Sequence, residues 1–265
     1  MTADTDDCAP HIVLLRPGDP FPPPEWAWGA DLPAPGLLAA GGALDVQTLI
    51  AAYRQTIFPW FSEGEPILWW SPDPRMVLDV REFRLHRSLR KTLARFVADP
   101  ACEIRFDSAF ERVMAHCAAA PRRGQSGTWI VSPMRRAYAA LHRAGHAHSV
   151  ETWVGGELVA GLYCVALGRA VFGESMFTMV ADGSKLALCA LVAFCRAHGM
   201  PLIDCQQNTG HLTFMGARER PRTGFAAQVA QLATQPAPIW SAGKFDPIYW
   251  KALFPQPSCN TGDDA

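Results

Sequence analysis

A short apolar segment of the chain carries two polar side chains whose burial needs an explanation. The segment LIDCQ (residues 202–206) has the composition of a buried strand, yet it contains Asp204 and Gln206. An unpaired buried polar group costs about 1–3 kcal/mol, so such side chains persist where they bond each other or a ligand. Because side chains alternate along a strand, we expect Asp204 and Gln206 on one face and Cys205 on the other.

A second apolar stretch carries one carboxylate. In VFGESMF (residues 171–177) the period of two places Phe172, Glu174 and Met176 on one face. A carboxylate between apolar neighbours is suited to hold a cation that is attached to an apolar group. The pattern leaves a second interpretation equally open, in which the polar side chains of both segments satisfy each other or cap loops.

Four tryptophans have surroundings that suggest either packing or base stacking. Trp60, Trp69 and Trp70 lie close together, and Trp129 follows the glycine-rich stretch RRGQSGT. Aromatic side chains on loops stack on unpaired bases at about 1–3 kcal/mol each, whereas buried tryptophans serve packing. We interpret Trp69 and Trp70 as packing residues, and Trp60, which lies beside Pro59 and a predicted loop, as a functional residue.

Residues 83–96 are predicted to form a helix with one apolar and one basic face. Residues 75–95 hold seven Lys or Arg and two Asp or Glu, an excess of five positive charges in a chain whose net charge is −1. This asymmetry suits a phosphate-binding face. An ordinary solvated helix face is the alternative.

The bulk composition limits the classes of protein to consider. With 265 residues, 49% hydrophobic and 18% charged, the chain is long and apolar enough for a sizeable core. Its eight cysteines have no C-x-x-C spacing, which predicts reduced core residues. His146 and His148 lack further ligands at a useful spacing, so no metal is expected. No secretory signal or run of ~20 apolar residues is found, and we expect a cytoplasmic location.

The elements that must position these side chains are predicted to alternate between helix and strand. Ser108 and Glu111 have the spacing of a helix capping box. The other predicted elements are a proline-rich arm (1–36), a helix (43–58), a helix starting at 132, a hairpin (148–167) turning at 155–156, and a buried helix (184–198). We expect a small N-terminal domain (1–95) and a larger α/β domain (96–265).

Several longer motifs resemble the leucyl/phenylalanyl-tRNA–protein transferase family. The resemblance runs in order from about residue 36 to residue 225. It is carried by FPWF (58–61), WWSPDPR (69–75), GTWI (127–130), LHRAGHAHSVETW (141–153), GLYCVALG (161–168), FGESMF (172–177), LIDCQ (202–206), and Thr209, His211-Leu212 and Gly216-Ala217.

The resemblance implies a mixed α/β (α+β) fold with a GNAT-like acyltransferase domain behind a small N-terminal domain. It implies that an acceptor protein's N-terminal amine attacks the aminoacyl ester at a tRNA 3′ end. Leu and Phe, and more weakly Met, are the implied donors, and proteins beginning with Arg or Lys are the acceptors. The product is implied to enter degradation by the N-end rule pathway. No cofactor is implied, and acetyl-CoA is not used.

The resemblance also implies a role for each residue that matches a family motif. Trp60 and Trp129 are implied to contact the terminal adenosine or the aminoacyl group, and Glu174 to lie near the acceptor's basic side chain. Asp204 and Gln206 are implied to lie at the reacting centre. A carboxamide is not a useful proton acceptor near pH 7. We therefore expect Gln206 to orient the amine, and Asp204 to hold Gln206 or to stabilise the developing cation.

Further substrate contacts are expected from Ser175 and from an apolar pocket, and tRNA contacts from the basic helix. The pocket residues are Leu162, Val171, Phe172, Met176 and Ile203, and the tRNA-binding residues are Arg87, Arg90 and Lys91.

Three positions depart from the family pattern, and two other functions stay open. Cys164 stands in place of a usual glycine, Val171 in place of a frequent aromatic residue and Gly183 in place of a usual alanine, so we expect an altered pocket shape. The alternatives are a non-catalytic tRNA-binding module and another GNAT-like acyltransferase. One example of the second is an enzyme that uses acetyl-CoA, but the chain lacks a Q/R-x-x-G-x-G/A loop for the pyrophosphate of that cofactor.

Overall fold

The computed structural model describes residues 12–120 and 130–254. Its first sheet consists of the short strands β1 (Val13–Leu15), β2 (Leu37–Gly41), β3 (Phe58–Pro59) and β4 (Leu68–Trp70). They are arranged in the order β1–β2–β4–β3, with β1 parallel to β2 and the other neighbours antiparallel.

The predicted first helix is confirmed as α1 (Val46–Arg54). The Asp45 carboxylate accepts a hydrogen bond from the Thr48 backbone N–H at 2.8 Å, which satisfies an amide of the first turn. Thr56 has a φ of 61° and redirects the chain into β3. Leu49 and Tyr53 are fully buried, so α1 presents its apolar face to the interior.

The second sheet has eight strands and forms the larger part of the molecule. Its strands are β5 (Arg75–Asp79), β6 (Cys102–Phe106), β7 (Ala147–Val154), β8 (Glu157–Leu167), β9 (Ala170–Thr178), β10 (Leu202–Gln206), β11 (Arg218–Arg220) and β12 (Gly243–Lys244). The order is β11–β5–β10–β9–β8–β7–β6–β12. β9 and β10 pair in parallel, and the other neighbours described here are antiparallel. The predicted hairpin is β7–β8, and Gly155 and Gly156 provide its turn with φ of 58° and 81°.

Helices cover both faces of this sheet. They are α2 (Arg87–Ala98), α3 (Phe110–Ala119), α4 (Ser132–Arg143), α5 (Gly183–Ala197), α6 (Gly210–Phe214) and α7 (Arg222–Leu232). α1, α3, α4 and α7 contribute to the core on one face, and α2 and α5 to the core on the other. α5 is buried along most of its length, as its apolar sequence predicted.

The predicted capping box at Ser108 and Glu111 is wrong. α3 begins at Phe110 without a side-chain cap of its own. Instead the buried carboxylate of Glu151 on β7 accepts from the Ser108 hydroxyl and, at 2.7 Å, from the Ala109 backbone N–H. Glu151, which is distant in sequence, thus takes the place that the spacing had suggested for Glu111.

The mixed α/β class is confirmed, whereas a domain boundary near residue 95 stays a prediction. β5 belongs to the eight-stranded sheet, and α2 packs on it through Leu89, Leu93 and Phe96. No disulfide joins the six cysteines of the described residues. Within the same residues no helix is long and apolar enough to cross a membrane.

Candidate active site

A cavity of about 350 Å³ opens where β9 and β10 separate. The two strands pair at Val171 with Ile203 and at Phe172 with Asp204, and the cavity lies beyond these pairs. Ligands of open α/β sheets bind outside the carboxyl ends of parallel strands. The lining residues are Phe58 and Pro59 of β3 with Trp60 directly after it, Leu162 and Tyr163 of β8, Gly173, Glu174, Ser175 and Met176 of β9, Leu188 and Leu191 of α5, and Ile203, Cys205, Gln206, Gln207, Thr209, His211 and Leu212.

The cavity brings together most of the side chains that the sequence predicts for the site. The predicted residues that line it are Trp60, Leu162, Glu174, Ser175, Met176, Ile203 and Gln206. Contrary to prediction, Val171, Phe172 and Asp204 are fully buried and do not line it. Trp129 lies outside the described residues.

Two strand irregularities explain why the expected alternation fails. On β9, Ser175 is opposite Tyr163 and Gly173 is opposite Cys164, so Glu174 is the extra residue of a bulge. Met176 therefore does not share a face with Phe172: Met176 packs with the α5 core and Phe172 with the α1 core.

On β10 the register shifts between Asp204 and Gln206, and Gln206 has a φ of 60°. Cys205 and Gln206 consequently both line the cavity, while Asp204 points into the core. The prediction that Asp204 and Gln206 share one face is wrong for this reason.

Glu174 is held by three side chains from different elements. Its Oε1 accepts a hydrogen bond from the Tyr53 hydroxyl at 2.6 Å and from Gln206 Nε2 at 3.2 Å. Its Oε2 accepts from the Tyr138 hydroxyl at 3.2 Å, and the two tyrosine hydroxyls contact each other. Tyr53 and Tyr138 are fully buried on α1 and α4, so the carboxylate is supported from the core side of the cavity.

Burial is the main influence on the ionisation of this cluster. Desolvation raises the pKa of Glu174 to about 7, while the hydrogen bonds from Tyr53 and Tyr138 oppose the shift. Burial and the neighbouring Glu174 raise the pKa of both tyrosines well above its usual value. The tyrosines thus stay hydrogen-bond donors near neutral pH, and Glu174 can change its charge there.

Asp204 is engaged by a buried arginine. Arg75 Nε donates to Asp204 Oδ1 at 2.9 Å, and Nη2 donates to Oδ2 at 2.7 Å. Asp204 Oδ1 also accepts from the Gln206 backbone N–H at 2.9 Å. Of the two roles expected for Asp204, holding Gln206 fits this geometry, and stabilising a cation in the cavity does not.

The same arginine reaches the N-terminal sheet. Arg75 Nη1 donates to the Thr56 carbonyl at 3.0 Å, and the guanidinium lies 4.9 Å and 5.3 Å from the ring centroids of Phe58 and Phe225. Arg75 thus bonds the backbone of the left-handed residue Thr56 directly and that of the left-handed residue Gln206 through Asp204.

Of the three clustered tryptophans, Trp69 and Trp70 bond backbone carbonyls, and Trp60 lines the cavity. Trp69 is fully buried and its indole N–H donates to the Gly41 carbonyl at 2.9 Å. Trp70 donates to the Trp60 carbonyl at 2.7 Å, and the two rings meet edge to face at 5.3 Å. These contacts hold Trp60, which is half-buried, at the rim.

The sequence reasoning missed several residues of the site. Tyr53 and Tyr138 are ordinary apolar-face positions of their helices, and no local signal marks them. His211 and Leu212 had a signal, because they belong to a family motif to which no role was assigned. They line the cavity from α6, and no bond partner of buried His211 Nε2 is found within residues 12–120 and 130–254.

The basic residues of α2 lie apart from the cavity lining. Arg87, Arg90 and Lys91 are all exposed, and in the described part of the chain none lies within salt-bridge distance of a carboxylate. Arg90 lies over the Phe254 ring at 5.9 Å. Unpaired exposed cations on one helix face agree with the phosphate-binding interpretation without excluding a solvated face.

The three residues that differ from the family pattern do not line the cavity. Cys164 and Val171 are fully buried in the α5-side core. At Gly183 a Cβ would lie 2.7 Å from the Ala160 Cβ, so α5 approaches β8 closely here. These positions do not contact the cavity, and an effect on its shape would be indirect.

Comparisons with known proteins identify the family of the chain. The model of the leucyl/phenylalanyl-tRNA protein transferase N-terminal domain matches residues 42–73, and the transferase model itself matches residues 77–230. A leucyl/phenylalanyl-tRNA–protein transferase from Polaromonas sp. strain JS666 is 62% identical over 242 residues, 91% of this chain and 94% of the relative. One from Albidiferax ferrireducens is 57% identical over 252 residues, 95% of this chain and 98% of the relative.

The structure of L-PGS from Bacillus licheniformis aligns with a TM-score of 0.38 and 14% identity over 78% of this chain and 66% of that one. The sequence relatives decide between the interpretations above, because they cover nearly the whole chain and are all transferases. The chain belongs to the leucyl/phenylalanyl-tRNA–protein transferase family and is an enzyme of that activity.

Proposed function

We propose that this transferase moves Leu or Phe, and more weakly Met, from tRNA to proteins that begin with Arg or Lys, marking them for degradation by the N-end rule pathway. The observation that carries the proposal is a cavity with apolar walls and one half-buried carboxylate. Glu174 is the only Asp or Glu among the cavity-lining residues described here.

The apolar walls suit the donor's side chain. Leu162, Met176, Ile203, Leu188 and Leu191 supply branched or flexible apolar surface, which favours burial of a long hydrocarbon or aromatic group. Trp60 at the rim is suited to stack on the terminal adenosine or to contact the aminoacyl group. A charged donor side chain would find no partner on these walls once Glu174 pairs with the acceptor.

The carboxylate suits the acceptor. A protein that begins with Arg or Lys brings a cationic side chain, and Glu174 can pair with it once ionised. The hydrogen bonds from Tyr53 and Tyr138 fix the carboxylate in place before the acceptor arrives. Little reorganisation is then needed on binding.

The reaction requires the acceptor's amine to be positioned against the ester more than it requires the amine to be activated. An α-amine has a pKa of about 7.7–8.0, so a neutral fraction exists near pH 7. Its lone pair attacks the ester carbonyl, the bond to the ribose oxygen breaks, and the amine's proton ends on that oxygen. Gln206 orients the amine by accepting a hydrogen bond at its carbonyl, and a ribose hydroxyl or water carries the proton.

A paired substitution tests this proposal. Glu174→Gln should reduce transfer from Leu-tRNA to an Arg-starting peptide by roughly ten- to a hundredfold, the value of a charge-assisted pair. Binding of charged tRNA should be nearly unchanged. Glu157→Gln, at an exposed carboxylate on β8, is the matched control. Unaltered transfer by the Glu174 variant would remove this residue from the acceptor site.

A further inference from the structure

Beside the cavity an imidazole and a phenyl ring form a stacked pair. The rings of His86 and Phe214 lie 3.9 Å apart between centroids with an interplanar angle of 19°. His86 Nε2 lies 2.8 Å from the Phe214 carbonyl oxygen; because a carbonyl only accepts, Nε2 carries the proton. This bond and the stacking together fix the orientation of the pair.

The pair stands between the cavity and the basic helix. Phe214 ends α6, the helix whose His211 and Leu212 line the cavity. His86 immediately precedes α2, which presents the exposed cations Arg87, Arg90 and Lys91. The two rings therefore link the helix that lines the cavity to the helix that carries these cations.

The backbone around the pair is tightly fixed. The Arg84 N–H donates to the Met215 carbonyl at 2.9 Å. A Cβ at Gly216, whose φ is 106°, would lie 2.4 Å from the Glu82 carbonyl oxygen, so only glycine allows the two segments to approach this closely. The position of α6 relative to α2 is thus set by main-chain contacts.

Phe214 nevertheless exposes 53% of its surface. One face of its ring is covered by His86, and an aromatic side chain exposed beside unpaired cations is a typical platform for single-stranded nucleic acid. Bases are read in this way by stacking, without regard to sequence, while phosphates pair with Lys and Arg.

We propose that the His86–Phe214 pair is a stacking platform for the unpaired nucleotides that precede the aminoacylated adenosine of the donor tRNA. A base stacks on the open face of Phe214, and the phosphates that follow reach α2. The inference rests on the proposed use of an aminoacyl-tRNA donor, and it assigns a binding role to two residues outside the cavity.

Two donors that carry the same ester separate this role from a structural one. Phe-tRNA includes the preceding nucleotides, whereas phenylalanyl-adenosine lacks them. Phe214→Leu, which keeps apolar packing but removes the ring, should weaken productive binding of Phe-tRNA by roughly five- to a hundredfold. Transfer from phenylalanyl-adenosine should be unchanged, and Phe214→Trp should restore Phe-tRNA binding.

The outcomes are distinct. An equal loss with both donors would mean that Phe214 only supports the cavity wall, and no loss with either would mean that no base stacks there; either result overturns the platform. Failure of the unaltered enzyme to transfer from both donors would instead overturn the proposed function.

Discussion

Arg75 and Asp204 form a bidentate ion pair in which both side chains have no exposed surface. The pair joins β5 to β10, and its further bonds reach the backbone of Thr56 and Gln206. A fully buried ion pair is weak support for net stability, yet removing one partner leaves an uncompensated charge. Its effect here is to fix the backbone that presents Gln206 to the cavity.

Asp204→Asn should therefore lower both stability and activity. We expect a loss of about 3–5 kcal/mol in the free energy of unfolding, measured with urea. Transfer should slow through kcat, since Gln206 is displaced, while the KM for the donor changes little. Glu82→Gln, which breaks the exposed pair with Arg218, is the control and should cost less than about 1 kcal/mol. Equal costs for the two variants would contradict this account.

Acceptor binding should depend on pH through Glu174. Burial raises its pKa to about 7, so in the unliganded enzyme the group is largely protonated below pH 7 and ionised above it. A cationic acceptor binds the ionised form, and its affinity should fall about tenfold per unit as the pH drops below 7.

Titration calorimetry of an Arg-starting peptide between pH 5.5 and 8.5, in the absence of donor, measures this dependence. Proton release on binding should accompany it near pH 7. Glu174→Gln should bind more weakly at high pH and should lack the fall in affinity below pH 7. An affinity of the unaltered enzyme that does not vary over this range would exclude the proposed pairing.

Phosphate contacts by α2 predict a change in salt dependence. Replacing Arg87, Arg90 and Lys91 together by Ala should weaken tRNA binding whatever amino acid is attached. If all three contact phosphates, the slope of log K against log salt should fall by roughly two to three units. A charge-matched control replaces Arg16, Arg112 and Lys244, which are also exposed. A triple variant of α2 that behaves like this control would leave the helix a solvated face.

Donor selectivity should follow the shape of the apolar walls. Leu and Phe should transfer best, then Met, with Ile and Val far behind because Cβ branching adds bulk near the backbone. Apolar pockets discriminate by about 1–3 kcal/mol per misplaced methylene, whereas an unpaired charge costs more, so Asp and Lys should be undetectable. Single-turnover transfer from individually charged tRNAs to one Arg-starting peptide measures the order. Efficient transfer of Ile would contradict the shape argument.

The sequence was most informative where composition conflicted with burial. Glu174 and Gln206 stood out as polar residues in apolar strands, and both line the cavity. Asp204 stood out for the same reason but bonds Arg75, because composition does not tell a ligand site from a buried ion pair.

Two assumptions of the sequence-based predictions were wrong. One was that the strands are regular, and the other was that side chains bond partners close in sequence. The bulge at Glu174 and the left-handed Gln206 break a period of two that holds only for ideal strands. Tyr53 and Tyr138 are 85 positions apart and meet through the packing of α1 on α4. Contacts of this kind depend on tertiary structure, and no spacing rule predicts them.

The Tyr53–Tyr138–Glu174 cluster joins the two segments of the chain that the family models match. Tyr53 lies in the segment matched by the N-terminal family model, and Tyr138 and Glu174 lie in the segment matched by the second. A fragment limited to the second segment would keep the carboxylate but lose a donor that lowers its pKa. The N-terminal segment therefore supplies part of the hydrogen bonding of the cavity carboxylate. Cutting the chain between the two segments should yield fragments that are inactive apart and that regain transfer when mixed.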